Sequence, residues 1–104
     1  MPVVRINAIA VPEGGGEELV ERFRNRLGAV DDQPGFQGFR LLQPTSEVET
    51  RWFVVTYWES AEDFDAWVSS ADFKQGHAQS GRQPVGTGSA LLEFDVVLES
   101  KPTS

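Results

Sequence analysis

A chain of 104 residues has the length of one domain, and 39% apolar, 11% aromatic and 24% charged residues describe a packed globule, not a disordered tail. Its formal net charge of -7 argues against nucleic acid as a main partner, because phosphate neutralisation needs clustered Lys and Arg. The absence of cysteine excludes disulfides, thiolate catalysis, zinc ribbons and iron–sulfur clusters, and no run approaches the roughly 20 apolar residues of a membrane span.

Val3 to Ala10 reads as the first strand, with Val4, Ile6 and Ala8 on one side and Val3, Asn7 and Ile9 on the other. Both sides are mainly apolar, so this strand expects cover on both. Pro12-Glu13-Gly14-Gly15-Gly16 breaks the pattern. Leu19, Phe23 and Leu27, widened by Val20 and Val30, then predict a helix over Glu17 to Val30. Asp31 to Gly35 is a turn cluster, and Phe36 to Leu42 a second strand ended by Pro44. A polar connection over Thr45 to Thr50 leads into Arg51 to Trp58, rich in aromatic and β-branched residues and the clearest strand of the chain. Ser60-Ala61-Glu62-Asp63 resembles a capping box with a shorter acid at its fourth position, opening a helix marked by Phe64, Trp67, Val68 and Ala71. Gly76 and Gly81 make the next stretch irregular, so Ala71 to Ser80 is expected as a short broken helix and Pro84 to Gly88 as loop. Ala90 to Leu98 is the last strand.

The order is β-α-β-β-α-β, the split βαβ arrangement of a ferredoxin-like α+β domain, expected to span residues 1–99 with a flexible tail at 100–104. Such a sheet carries both helices on one face. The other face is also apolar here, and a second copy of the sheet would cover it. The expectation is a homodimer whose sheets pack face to face as an α+β barrel. The start of the chain has no basic stretch followed by a long apolar run, so a cytoplasmic location is expected.

His77 is the only histidine, ten residues after Trp67 on a glycine-containing segment that can bring backbone close to a flat ligand. A multi-histidine zinc site cannot be built around it, whereas a single proximal histidine suffices for haem iron. The bland alternative is a surface or packed histidine. Asn7 is a polar residue inside an apolar strand, suited either to an internal hydrogen bond or to an amide pointed at a ligand. Trp67 lies on a helical apolar stripe, where tryptophan is usually core, and Trp52 and Trp58 are ordinary core or interface candidates. Arg22 and Arg26 share a helix face and are either solvated or paired with carboxylates. Gly14-Gly15-Gly16 is no phosphate loop, since two glutamates and no lysine follow it.

Three stretches carry a family likeness: Val3-Val4-Arg5-Ile6-Asn7-Ala8-Ile9, the turn Pro34-Gly35-Phe36-Gln37-Gly38-Phe39, and Val54-Val55-Thr56-Tyr57-Trp58-Glu59-Ser60. They resemble the antibiotic biosynthesis monooxygenase superfamily and, within it, the IsdG-type haem-degrading enzymes. The closing stretches Pro84-Val85-Gly86-Thr87-Gly88 and Leu91-Leu92-Glu93-Phe94 are most similar to the MhuD branch. The resemblance runs from Val3 to Leu98 and departs from that branch just after His77. It implies a catalytic trio of Asn7, Trp67 and His77, with His77 on the haem iron, Asn7 facing oxygen on the opposite side and Trp67 distorting the macrocycle. Arg22, Arg26 and Phe23 are the further haem-binding residues expected. Haem would be substrate and cofactor at once, with O2 and an external electron donor, either a reductase or a small reductant. On the same fold, a cofactor-free quinol or polyketide-type oxygenase and a non-catalytic haem carrier are the competing expectations.

Overall fold

The computed structural model describes residues 1–25, 27–70 and 88–102. Its elements are β1 (Val3–Ala10), α1 (Gly16–Arg24), α2 (Leu27–Val30), β2 (Phe36–Leu42), β3 (Trp52–Trp58), α3 (Ala61–Val68) and β4 (Gly88–Asp95). The strands form one antiparallel sheet in the order β2-β3-β1-β4, the ferredoxin-like arrangement that the element order predicts.

Register sorts the side chains. Val3, Arg5, Asn7 and Ile9 of β1 share a face with their β3 partners Trp58, Thr56, Val54 and Trp52. On that face α1 lays Leu19 and Phe23 over Ile9 and Val54, while α2 and α3 bring Val30, Phe64 and Trp67 to Val3 and Trp58. Trp58 is fully buried, its ring meeting Phe36 and Phe64 edge-on at centroid distances of 5.3 and 5.8 Å. Its indole N–H donates to Thr56 Oγ1 at 2.8 Å, and that hydroxyl donates to the Arg5 carbonyl at 3.2 Å. The polar atoms inside this aromatic cluster are thereby satisfied.

The differences from the expected elements have local causes. The helix expected over Glu17 to Val30 is two pieces, since Asn25 caps α1 and α2 restarts at Leu27. Asn25 and Gly28 are poor helix formers, and the break lets Leu19 serve one core cluster while Val30 serves the other. β3 begins at Trp52 and not Arg51, because the Arg51 N–H donates to the Glu49 carboxylate at 2.9 Å. β4 runs Gly88–Asp95, not Ala90 to Leu98, and Gly88 belongs to the strand. Its ends follow β1: Ala10 pairs with Gly88 and Val3 with Asp95, after which Pro2 accepts from the Val96 N–H at 2.9 Å but has no N–H to return. The glycine run before α1 is a packing feature. A side chain at Gly16 would strike the Trp52 ring at 2.6 Å. The broken helix expected over Ala71 to Ser80 lies outside the described residues.

Candidate active site: a half-covered cleft on the helix side of the sheet

The two helical pieces cover the two ends of β1 and leave its middle open among the described residues. Asn7 sits there, exposed, on the helix side between Val54 of β3 and Leu91 of β4. Leu91 is 52% exposed, and its same-face neighbours Ser89 and Glu93 are exposed as well. The Asn7 amide makes no side-chain hydrogen bond among the described residues. Of the two roles open to it, the described residues supply no internal hydrogen bond, and Asn7 is exposed on the helix side of the sheet.

Trp67 stands at the Val3 end of this cleft, on the last turn of α3. It packs against the Val3–Val30–Trp58 cluster and is half-buried, so it contributes to the core without being sealed in it. The start of α3 is fixed by Ser60, whose hydroxyl accepts from the Asp63 N–H at 3.2 Å and donates to the Asp63 carboxylate at 2.9 Å. At the other end, Phe23 packs on Phe39 at a centroid distance of 5.8 Å and belongs to the Ile9 cluster. Arg22 is mostly buried and pairs with the exposed Glu18 at 2.9 Å. The structure thus brings Asn7, Trp67, Phe23 and Arg22 to one side of the sheet. His77 and Arg26 lie outside the described residues. No group of three or more metal-ligating side chains occurs among the described residues.

Arg5 is the residue that reasoning from sequence missed. It shares the Asn7 face of β1, is only 9% exposed, and holds its guanidinium 5.6 Å from the centre of the Phe64 ring. Strand alternation from Asn7 was the signal that could have found it, since a cation two residues away falls on the same side.

The other well-formed polar feature lies elsewhere. On the β2–β3 hairpin, an open recess of about 220 Å³ is lined in part by Leu42, Pro44, Glu49, Arg51 and Phe53. There the Arg51 guanidinium bonds both Glu49 carboxylate oxygens, which lowers the Glu49 carboxyl to about 2. The pair persists above the ordinary carboxylate range and is lost only as pH falls towards 2. None of Asn7, Trp67 or Phe23 touches this recess.

A four-stranded ferredoxin-like sheet with its helices on one face, and Asn7 and Trp67 both on that side, defines a small α+β domain. The chain belongs to the antibiotic biosynthesis monooxygenase family, which it matches over residues 2–79. It is 54% identical over 99 residues, 95% of this chain and 92% of the relative, to the heme oxygenase (mycobilin-producing) of Mycobacterium tuberculosis strain CDC 1551. It is 35% identical over 83 residues, 79% of this chain and 77% of the relative, to a heme-degrading monooxygenase of Bacillus cereus strain B4264. The solved structure of the heme-degrader MhuD from Mycobacterium tuberculosis, with two hemes bound in its active site, matches at TM-score 0.80 and 50% identity. That match covers 95% of this chain and 99% of that one.

Proposed function

We propose that this chain is a haem-degrading monooxygenase that binds haem in the cleft between the sheet and the helices. The observation that carries the reading is the Asn7 amide, which makes no side-chain hydrogen bond among the described residues and is exposed on a mixed floor, with Val54 and Leu91 beside it, Arg5 and Glu93 on the same face and Trp67 towards the Val3 end. A flat, largely apolar ligand with polar groups near its centre and rim suits such a floor. The identity to named haem-degrading relatives supports the same reading.

Bound haem is the substrate and supplies the redox chemistry, with O2 and an external electron donor consumed and iron and an opened tetrapyrrole released. The imidazole of His77 is the one histidine the chain can offer as proximal ligand. Asn7 donates its amide N–H on the opposite side of the ring, where it orients the oxidant. Trp67, backed by the Val3–Val30–Trp58 cluster, has a firm support from which to press on the macrocycle. Phe23 lines the cleft, and Arg22 and Arg26 serve the propionates, Arg22 by exchanging Glu18 for a ligand carboxylate. Residues 1–99 form the working domain with 100–104 as a tail, the protein acts in the cytoplasm, and two copies pair through the sheet face that the helices leave bare.

Adding hemin to the purified protein tests this. A Soret shift is expected, followed by bleaching with ascorbate in air and an opened tetrapyrrole in the mass spectrum. His77→Ala should alter the Soret band and abolish bleaching. An unshifted Soret band would refute haem binding and favour cofactor-free oxidation of a quinol. Binding without bleaching would leave a carrier.

A further inference from the structure

Arg5 is the one charged residue buried among the described residues, and nothing in the mechanism above uses it. A guanidinium has five N–H donors and cannot shed its charge, so it needs acceptors or a counter-ion when taken out of water. Arg5 has little of either. Among the described residues its single side-chain hydrogen bond reaches the neighbouring Val4 carbonyl at 3.4 Å, and its guanidinium lies over the face of Phe64. Glu93 stands directly across on β4 and on the same face, yet it is exposed and forms no ion pair with Arg5. The remaining N–H groups are not sealed in, because the described residues contain no fully buried side-chain nitrogen without a partner.

The position gives this charge a use. Arg5 precedes Asn7 by two residues on the same strand face, about 7 Å away along β1. Phe64, on which it stacks, lies one helical turn before Trp67 on α3. Arg5 is therefore set between the amide and the indole that bound the cleft. We propose that Arg5 is a carboxylate-binding residue of this cleft and takes one propionate of the tetrapyrrole. The proposal rests on the haem reading given above and deepens it. A ligand that meets Asn7 near its ring centre brings a rim carboxylate towards Arg5. Arg22 must first give up Glu18, whereas Arg5 has no counter-ion among the described residues to release. The ligand's carboxylate replaces the water still reaching the guanidinium and neutralises a charge that the described residues leave uncompensated.

Titrations with hemin and with hemin dimethyl ester, followed by the Soret band, test this in the wild type, Arg5→Met and Arg5→Lys. Arg5→Met should weaken hemin binding by about tenfold or more, as loss of a charge-assisted hydrogen bond predicts. It should leave ester binding unchanged. Arg5→Lys should keep most of the preference for the free acid. Arg5→Met should also unfold no more readily than wild type in urea, because an uncompensated buried charge has been replaced by an apolar chain of similar length. A Met variant that fails to fold, or that retains the wild-type preference for hemin over its ester, overturns the assignment while leaving haem binding intact. A wild-type protein that takes up neither porphyrin refutes the haem reading itself, and this inference with it.

Discussion

Asn7 and Val54 face each other across two central strands, but among the described residues only Val54 is covered by a helix. An asparagine is disfavoured in a strand, and here it makes no side-chain hydrogen bond among the described residues that would compensate. The fold accordingly has little use for it. Asn7→Ala should change unfolding stability by less than about 0.5 kcal/mol, as for other exposed positions without a lost partner. If the amide orients the oxidant, the same variant should bind haem normally and bleach it about a hundredfold more slowly, the scale seen when a preorganised donor is removed. Urea unfolding and the bleaching rate with ascorbate separate the two roles. Full turnover in this variant would take the amide out of the mechanism. Trp67 resists so clean a division, because the side chain proposed to press on the ligand also packs on the Val3–Trp58 cluster.

At the scale of elements, the join between β2 and α3 depends on one glycine. Gly35 has φ +77, and its carbonyl accepts from the Glu59 N–H at 2.8 Å. A Cβ at this position would collide with the Asp63 carboxylate, which is itself engaged with the Ser60 cap. Gly35→Ala should therefore destabilise by about 1–3 kcal/mol, the range for a non-glycine residue held at positive φ. Gly28 in α2 is the control. Nothing lies within 4 Å of its would-be Cβ, so Gly28→Ala should stabilise by about 0.5–1 kcal/mol. Urea midpoints of the two variants moving the same way would count against this account. These elements were legible in the sequence where periodicity or a cap marked them: β1 and β2 to the residue, α3 from Ser60 onward. Strand ends were not legible, because they depend on what β1 can pair with and on where Glu49 diverts the Arg51 N–H. For the site, the polarity of Asn7 within an apolar strand was a visible anomaly. For Arg5, alternation from Asn7 marks the face but not the burial, since a charge near a chain terminus reads as solvated until a packed Phe64 shows that it is buried.

For the whole molecule, the open matter in the isolated chain is the sheet face on which none of the described helices packs. Val4, Ile6 and Ala8 of β1 face that side together with Phe53 and Val55 of β3 and Leu92 and Phe94 of β4. Phe94 is 52% exposed and Leu42, at the other edge of the sheet, 46%. Ala8 and Val55 are already buried by their neighbours, so the accessible apolar area lies on the outer strands, around a closed centre. Arg40, stacked 5.9 Å over Tyr57, is a polar interruption on the β2 side. A small domain buries a limited share of its surface alone, and pairing two such faces extends the core without a third layer. The wild type should therefore sediment as a dimer at micromolar concentration. Phe94→Asp places a charge in the apolar part of that face while leaving the helix-side cleft untouched, and should shift the protein towards monomer. Its far-ultraviolet circular dichroism should remain that of a folded α+β domain. A wild type that sediments as a folded monomer would refute pairing through this face. A Phe94→Asp variant that stays fully dimeric would move the interface elsewhere on the surface.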